Sequence, residues 1–208
     1  MTAVSWSGAL GERAVGAQRD LVLTFSVLDG ETPAGVVDVV ATGVRDHQIG
    51  DANGGGVGLV DDAQHPGLIA HTEPRETLHF EAPPGIDTDA VMGALFLAHR
   101  RAFDDWIAFD RYLDFNRYAS ERPPPEELLR ADGTLVTGPR SLVACYRAVL
   151  DERGYSTRAT SAPPPSWWDG ERWRTDLTPL AMLHFGNSWV VAQRFDARVR
   201  MGAAEETH

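Results

Sequence analysis

A helical stripe lying between two stretches of strand pattern is the feature of this sequence that most constrains its fold. Apolar residues recur at spacings of three and four along the middle of the chain, at Leu95, Ala98, Ala102, Trp106, Phe109 and Leu113. This spacing places them on one face of a helix, which we expect to span residues 87–118, as one helix or broken into two, with Asp87 or Thr88 as its N-cap. Because strand patterns precede and follow the helix, the order of elements favours an α+β fold over a parallel α/β sheet.

Hairpins are predicted near both ends of the chain. In residues 21–27, apolar side chains occupy alternate positions, which is the period of a half-buried strand. A β-branched run over residues 36–42 should pair with it, because Asp29-Gly30 begins a turn between the two. A second hairpin is predicted over residues 180–195, around Gly186-Asn187-Ser188.

Shorter elements complete the predicted fold. Strands are expected over residues 57–60 and 76–81, and a shorter helix should begin at Gly138-Pro139 and end at Gly154. We therefore expect an antiparallel sheet, built from the N- and C-terminal hairpins, that packs on the long central helix and on one or two shorter helices.

The length of 208 residues suits one domain. Residues 1–19 are rich in Gly, Ala and Ser and are interpreted as a loose N-terminal arm. Residues 20–201 are predicted to form a single α+β domain, and residues 202–208 a disordered tail. No signal-peptide pattern and no apolar run of membrane-spanning length is visible, so a cytoplasmic location is expected.

The basic and acidic composition excludes several chemistries. All 19 basic residues are arginine, against 30 Asp and Glu, and the formal net charge is −11. Without lysine, the chain cannot form a lysine Schiff base or complete a P-loop. The acidic balance disfavours nucleic acid and anionic membranes as partners. The motifs Gly-x-Ser-x-Gly and His-Glu-x-x-His and the EF-hand loop are also absent.

A group of histidines and carboxylates is a candidate divalent-metal site. Its predicted ligands are Asp61, Asp62, His65 and His71, in a segment, residues 46–79, that also contains His47 and His79. Histidine and carboxylate side chains are ligands that zinc and similar metals accept. The spacing matches no known metal motif, however, so ordinary surface residues are the competing interpretation.

The polar side of the predicted long helix offers a second set of carboxylates. Asp110 and Asp114 are four residues apart and share a helix face, which suits metal binding or acid–base chemistry. The competing interpretation is a solvated face of ion pairs, in which Arg100 reaches Asp104 and Arg101 reaches Asp105. The histidine of this stretch, His99, is placed on the same polar side.

Two further features are interpreted as structural. The glycine-rich run over residues 53–58 lacks the strand–turn–helix context of a phosphate-binding loop and is read as a hairpin tip. The single cysteine, Cys145, lies among apolar neighbours in the middle of a predicted helix. A reactive cysteine needs a helix N-terminus or a nearby cation, so Cys145 is predicted to be a core residue.

A tryptophan cluster is the strongest positive feature. Trp167, Trp168 and Trp173 flank Asp169-Gly170, which predicts an aromatic hairpin. These seven residues are similar to the Trp-Asp-Gly-x-x-Trp core of a short domain of unknown function common in actinobacterial proteins. Its Gly-Trp-Tyr-Pro-Asp-Pro lead-in is replaced here by an Ala-Pro-Pro-Pro-Ser run, and the resemblance implies no function. The indoles either pack beneath a sheet or form a recognition surface.

The leading functional hypothesis is a non-catalytic accessory, assembly or regulatory protein. It would act through a protein–protein interface formed by Trp167, Trp168 and Trp173, with a protein partner or by self-association, and without a cofactor. The alternative is an enzyme that acts on a small molecule or depends on a divalent metal. That enzyme would use residues 46–79 together with the carboxylates of the central helix.

Overall fold

The computed structural model describes residues 4–6, 20–29, 32–49, 56–113, 129–130, 132–168, 171–175 and 178–200. In chain order, its strands and helices are β1 Val4–Trp6, β2 Leu21–Asp29, β3 Thr32–Thr42, β4 Asp46–Gln48, β5 Val57–Val60, α1 Pro66–Thr72, β6 Arg75–Glu81, α2 Thr88–Phe103, β7 Gly133–Pro139, α3 Arg140–Glu152, β8 Ser156–Ser161, β9 Trp167–Trp168, β10 Trp173–Arg174, β11 Ala181–Phe185, β12 Ser188–Ala192 and β13 Arg194–Arg200.

The chain forms two compact units, and the chain passes from one to the other within α1. Unit 1 comprises Met1–Leu68 and Ser166–His208, and unit 2 comprises Ile69–Pro165. The prediction of one domain over residues 20–201 stays a prediction, because two compact units can belong to one folded domain. None of the described helices is long and apolar enough to cross a membrane.

Besides the two-stranded pair β9-β10, the described part of unit 1 contains two four-stranded antiparallel sheets. Their strand orders are β1-β2-β3-β13 and β4-β12-β11-β5. Alternate residues of β2, β3, β11 and β12 point into a shared core, which contains Leu23, Phe25, Val39, Ala41, Leu183, Phe185, Val190 and Ala192. The rings of Phe25 and Phe185 meet edge to face there, with 5.3 Å between their centroids. The period of two in these strands therefore positions the core of the unit.

A three-stranded sheet, with α3 packed on it and α2 packed on α3, forms the described part of unit 2. The sheet order is β7-β6-β8, and both neighbours of β6 are antiparallel to it. Leu78 and Phe80 of β6 pack with residues of α2 and α3, among them Leu95 and Tyr146. Helix α2 begins where Asp87 accepts a hydrogen bond from the Ala90 N–H. These contacts follow from the apolar stripe of each helix.

The face of this sheet that Leu78 and Phe80 do not occupy is polar. The Thr77 and Thr137 hydroxyl oxygens lie 3.0 Å apart. The two ring nitrogens of His79 are each 3.1 Å from a threonine hydroxyl, those of Thr134 and Thr160. Within the described residues, both nitrogens of His79 are therefore occupied by local partners.

The α+β class is confirmed, and both terminal hairpins form, although the second ends at Ala192 and not at Phe195, which belongs to β13. Strands β2 and β3 pair as predicted, and β11 pairs with β12 across Gly186 and Asn187. The expected packing of a single sheet on the long helix is not confirmed, because the two hairpins belong to different sheets. The last strand, β13, does pair with β3, so a strand from the C-terminal part of the chain joins the N-terminal sheet.

The long helix is shorter than the sequence predicts. Helix α2 ends at Phe103, because Asp104 adopts a positive φ of 49° that a helix does not contain. Ile107 and Leu113 nevertheless lie in the core of unit 2. Because the chain after α2 still directs apolar residues into the same core, its apolar spacing resembles that of a helix. The sequence therefore predicts a helix that is too long.

The predictions for the chain termini fall mostly outside the described residues. Within residues 1–19, only Val4–Trp6 are described, and they pair with β2. The predicted tail, residues 202–208, lies outside the described part of the chain, as do residues 53–55 of the glycine-rich run.

Candidate functional site

The aromatic hairpin has the backbone arrangement that the sequence predicts. Strands β9 and β10 are antiparallel, with Trp173 opposite Trp168 and Arg174 opposite Trp167. The Asp169-Gly170 turn and the side chain of Trp168 lie outside the described part of the structure. The register thus brings the backbones of the three tryptophans into one small hairpin within unit 1.

The two tryptophans whose side chains are described differ in exposure. The Trp173 side chain is 68% exposed, whereas Trp167 is half-buried. The Arg45 guanidinium lies over the Trp167 ring, and its Nη2 donates to the Thr178 hydroxyl at 3.0 Å. Trp167 is therefore held in place by a cation–π contact, while Trp173 presents its indole to solvent.

Three of the four predicted metal ligands occupy one turn of chain in unit 1. Asp61 and Asp62 follow β5 and are exposed, and His65 precedes α1 and is half-buried. Asp62 accepts a hydrogen bond from the Gln64 N–H at 2.9 Å. The His65 Nδ1 accepts one from the Gly67 N–H at 3.1 Å. The segment is thus a compact turn in which a histidine nitrogen caps the start of a helix.

A second histidine, His184 of β11, lies near this turn and was not singled out by the sequence. Burial lowers the pKa of His65, the Asp62 charge raises it, and the His184 charge lowers it further. Strand β11 places His184 opposite Gly58 of β5. A Cβ at position 58 would overlap the His184 ring, so glycine is needed there for this ring position. Alternation with buried Leu183 and Phe185 is the only sequence signal that predicts the side on which His184 lies.

The fourth predicted ligand, His71, is half-buried within α1. Across the described ranges, the structure groups no three or more His, Cys, Asp or Glu side chains in a way that could hold a metal ion. The set of Asp61, Asp62, His65 and His71 therefore remains a prediction.

The predicted ion-pair face of α2 is partly correct. Arg100 pairs with Asp104 at 3.3 Å, as predicted. It also pairs with Asp105, for which the sequence predicts Arg101 as the partner. Asp110 is exposed and lies in a turn beyond the end of α2, not on a helix as predicted, and Asp114 lies outside the described residues.

The assignment of His99 to the solvated side of α2 is wrong. Its side chain is only 1% exposed and packs among the rings of Phe103, Phe109 and Tyr146. The error has a physical reason: the chain after α2 folds back over this side of the helix, and a helix pattern alone contains no information about that return.

Cys145 is half-buried and packs against the core of unit 2. Burial raises the pKa of its thiol, so the thiolate needed for nucleophilic chemistry is disfavoured. Its position agrees with the predicted structural role.

The chain was compared with protein-family models, with curated proteins and with solved structures, and no match was found in any of the three.

Proposed function

We propose that the protein is a non-catalytic accessory, assembly or regulatory protein that acts through an interface centred on the aromatic hairpin, residues 167–174. The exposure of the Trp173 indole carries this proposal. A tryptophan side chain buries about 150–250 Å² when it is covered. Leaving that area in water forgoes a large hydrophobic gain, which a partner protein would recover on binding.

The surroundings of Trp173 support the same proposal. Trp167 is already held by Arg45, so this side chain loses little further conformational entropy when a partner binds. Arg172 is exposed and Arg174 is half-buried beside the tryptophans. Tryptophan and arginine are the residue types enriched at the energetic centres of interfaces.

We infer that the partner is a different protein and not a second copy of this chain. A formal net charge of −11 makes two copies repel each other. The arginines of the hairpin favour a partner surface that is apolar at its centre and acidic at its rim. Nucleic acid and membranes are not part of the proposal, which places the interaction in the cytoplasm as the sequence predicts.

Quantitative affinity capture from the source cells tests this proposal with three baits. The wild-type chain is compared with Trp173→Ala and with the control Val199→Ala, which removes a similarly exposed apolar residue of unit 1, 71% exposed. A true partner is lost with Trp173→Ala and retained with Val199→Ala. With the purified partner, Trp173→Ala should weaken the Kd by about 30-fold or more, because truncating an interface hot spot costs about 2 kcal/mol or more.

Two outcomes would contradict the proposal. One is an identical set of captured proteins for the wild type and Trp173→Ala. The other is a large fall in the melting temperature of Trp173→Ala, because an exposed substitution should change the free energy of unfolding by no more than about 0.5 kcal/mol. Sedimentation velocity of the wild type is a further check. A dimer that Trp173→Ala dissociates would show that the hairpin binds a second copy of this chain and not a different protein.

The alternative function is an enzyme that acts on a small molecule or depends on a divalent metal. The observation that favours it is that His65 is half-buried in unit 1, where the Asp62 charge raises its pKa and the His184 charge lowers it. Metal analysis of protein purified without an affinity tag tests it. Stoichiometric metal that is lost in His65→Ala and kept in His79→Ala would support the enzyme. Absence of bound metal under metal-replete growth would count against the metal-dependent form.

A further inference from the structure

The segment that follows α2 is fastened to unit 2 by a buried pair of side chains. We call residues 104–113 the strap. It begins at Asp104, whose N–H donates to the Arg100 carbonyl at 3.1 Å. It ends where Leu113 forms an isolated bridge with Val136 of β7. Between these ends, Ile107 is buried in the core of the unit.

His99 fastens the middle of the strap. Its Nε2 lies 2.6 Å from the Ile107 carbonyl oxygen. A carbonyl only accepts, so Nε2 must carry the proton. The Tyr146 hydroxyl lies 2.9 Å from His99 Nδ1, and it donates to this unprotonated nitrogen. One neutral tautomer of His99 therefore satisfies both contacts at once.

The strap also depends on Tyr146 of α3. The Tyr146 side chain is fully buried, and its hydroxyl lies 3.5 Å from the Phe109 carbonyl oxygen, which is a second strap acceptor. The Phe109 ring packs edge to face against both His99 and Tyr146. The fastening therefore links α2, α3 and the strap in a single network.

Few charges act on this network. Arg100 of α2 is the charged neighbour of His99, and the strap carboxylates Asp104 and Asp105 pair with Arg100. From α3, Tyr146 and, through it, Cys145 are the titratable groups. Among the described residues, no carboxylate hydrogen-bonds to the His99 ring. Nothing in this network compensates a positive charge on the imidazole.

We propose that the strap is an acid-sensitive latch, which His99 holds closed while its ring is neutral and releases when the ring is protonated. A protonated ring donates from both nitrogens, so Tyr146 must turn its proton from His99 to the more distant Phe109 carbonyl. The imidazolium would then be buried among aromatic rings and beside Arg100. Opening the strap instead places the charged ring in water.

The sign of the pH dependence follows from the burial of the ring. Burial lowers the pKa of His99 in the closed strap, the Ile107 hydrogen bond partly opposes this, and Arg100 lowers it further. In the open strap, the ring has an ordinary pKa of about 6.5. The open form therefore binds the proton more tightly. Its population should rise by up to about tenfold per pH unit below 6.5, until the pH reaches the closed-state pKa.

Amide hydrogen exchange between pH 7.5 and 5.5, corrected for intrinsic rates, tests the latch. The reporters are strap amides such as those of Trp106 and Arg111, which donate to Phe103 and Ala108. In the wild type, their opening constants should rise below pH 6.5. In His99→Gln they should not vary with pH. The control His79→Gln removes another histidine of unit 2 and should keep the wild-type profile.

Unchanged strap protection in the wild type over this range, or an unchanged slope in His99→Gln, would overturn the proposal. Should His99→Gln not fold, the wild-type imidazole can be followed by NMR instead. The Nε2–H tautomer at neutral pH, with protonation in step with strap opening, supports the latch. An imidazolium that forms while the strap amides stay protected contradicts it.

Discussion

Histidines in this protein are held in place by different neighbours, and those neighbours decide what each ring can do. His99 is enclosed by aromatic rings and bonded at both nitrogens. His184 instead lies over a glycine of the adjacent strand, close enough to His65 to lower its pKa. The first environment favours a neutral structural ring. The second places the His65 ring within reach of the Asp62 and His184 charges.

Glycine at position 58 should be required for the position of His184. In Gly58→Ala, the new Cβ overlaps the His184 ring, which must rotate away. We expect a changed chemical shift of the His184 ring and a loss of about 1 kcal/mol in the free energy of unfolding, at the low end of what overpacking causes, because the end of the half-buried His184 side chain can move aside. Gly56→Ala is the matched control, because nothing lies within 4 Å of a Cβ there. Equal losses in the two variants would contradict this account.

The hydroxyl of Tyr146 should stabilise unit 2 through His99. In Tyr146→Phe, the buried His99 Nδ1 loses its donor at 2.9 Å, and an unsatisfied buried acceptor costs about 1–3 kcal/mol. Chemical denaturation at pH 7.5 measures the loss. Tyr155→Phe is a useful comparison, because its hydroxyl donates to the Leu129 carbonyl at 3.1 Å. The exchange rates of strap amides should rise in Tyr146→Phe and stay unchanged in Tyr155→Phe.

For single residues, the local sequence predicts the surroundings of some side chains but not which residues they contact. The sequence leaves open whether Trp173 is a core or a surface residue, whereas Cys145 could be assigned from local composition. His99 and His184 could not, because their environments are made by residues distant in sequence. Tyr146 is 47 positions from His99, and Gly58 pairs with His184 only through the register of β5 and β11. A single sequence contains no signal for such pairings.

Elements are delimited here by backbone conformation as much as by apolar pattern. Helix α2 begins at the Asp87 cap and ends at Asp104, where φ is 49° and ψ is −129°. That conformation is adopted almost only by glycine, and a non-glycine residue in it costs about 1–3 kcal/mol. Strain is therefore located at the point where the strap leaves the helix.

Replacing Asp104 by glycine should stabilise unit 2. Glycine removes the strain at the positive φ, while the exposed Arg100–Asp104 pair that is lost contributes only about 0–1 kcal/mol. We expect a net gain of about 1 kcal/mol in the free energy of unfolding. Asp104→Ala, which keeps the strain and loses the pair, should be neutral or destabilising. A destabilised Asp104→Gly would show that the ion pair outweighs the strain.

Local signals explain which elements the sequence predicts. Strands β2 and β11 alternate clearly, and α3 lies between Pro139 and Gly154, which has a φ of 83°. Strand β8 escapes prediction because its sequence, Ser-Thr-Arg-Ala-Thr-Ser, has little apolar alternation. It is a strand because it pairs with β6, and that pairing depends on tertiary contacts.

At the scale of the whole molecule, the order of elements was enough to predict the α+β class but not the division into two units. Strands from both ends of the chain meet in unit 1, and the helical segments form most of unit 2. Periodicity reports which face of an element is buried. It does not report against which other element that face packs, so one sheet on one helix was the simplest arrangement consistent with it.

We propose that another protein covers Trp173 in the cell, and hydroxyl-radical footprinting of the native assembly tests this proposal. The oxidation rate of Trp173 is compared between the isolated chain and the assembly recovered from cells, with exposed Phe96 of unit 2 as the internal reference. The account predicts that Trp173 is oxidised severalfold more slowly in the assembly while the rate at Phe96 is unchanged. Equal oxidation of Trp173 in both samples would contradict it.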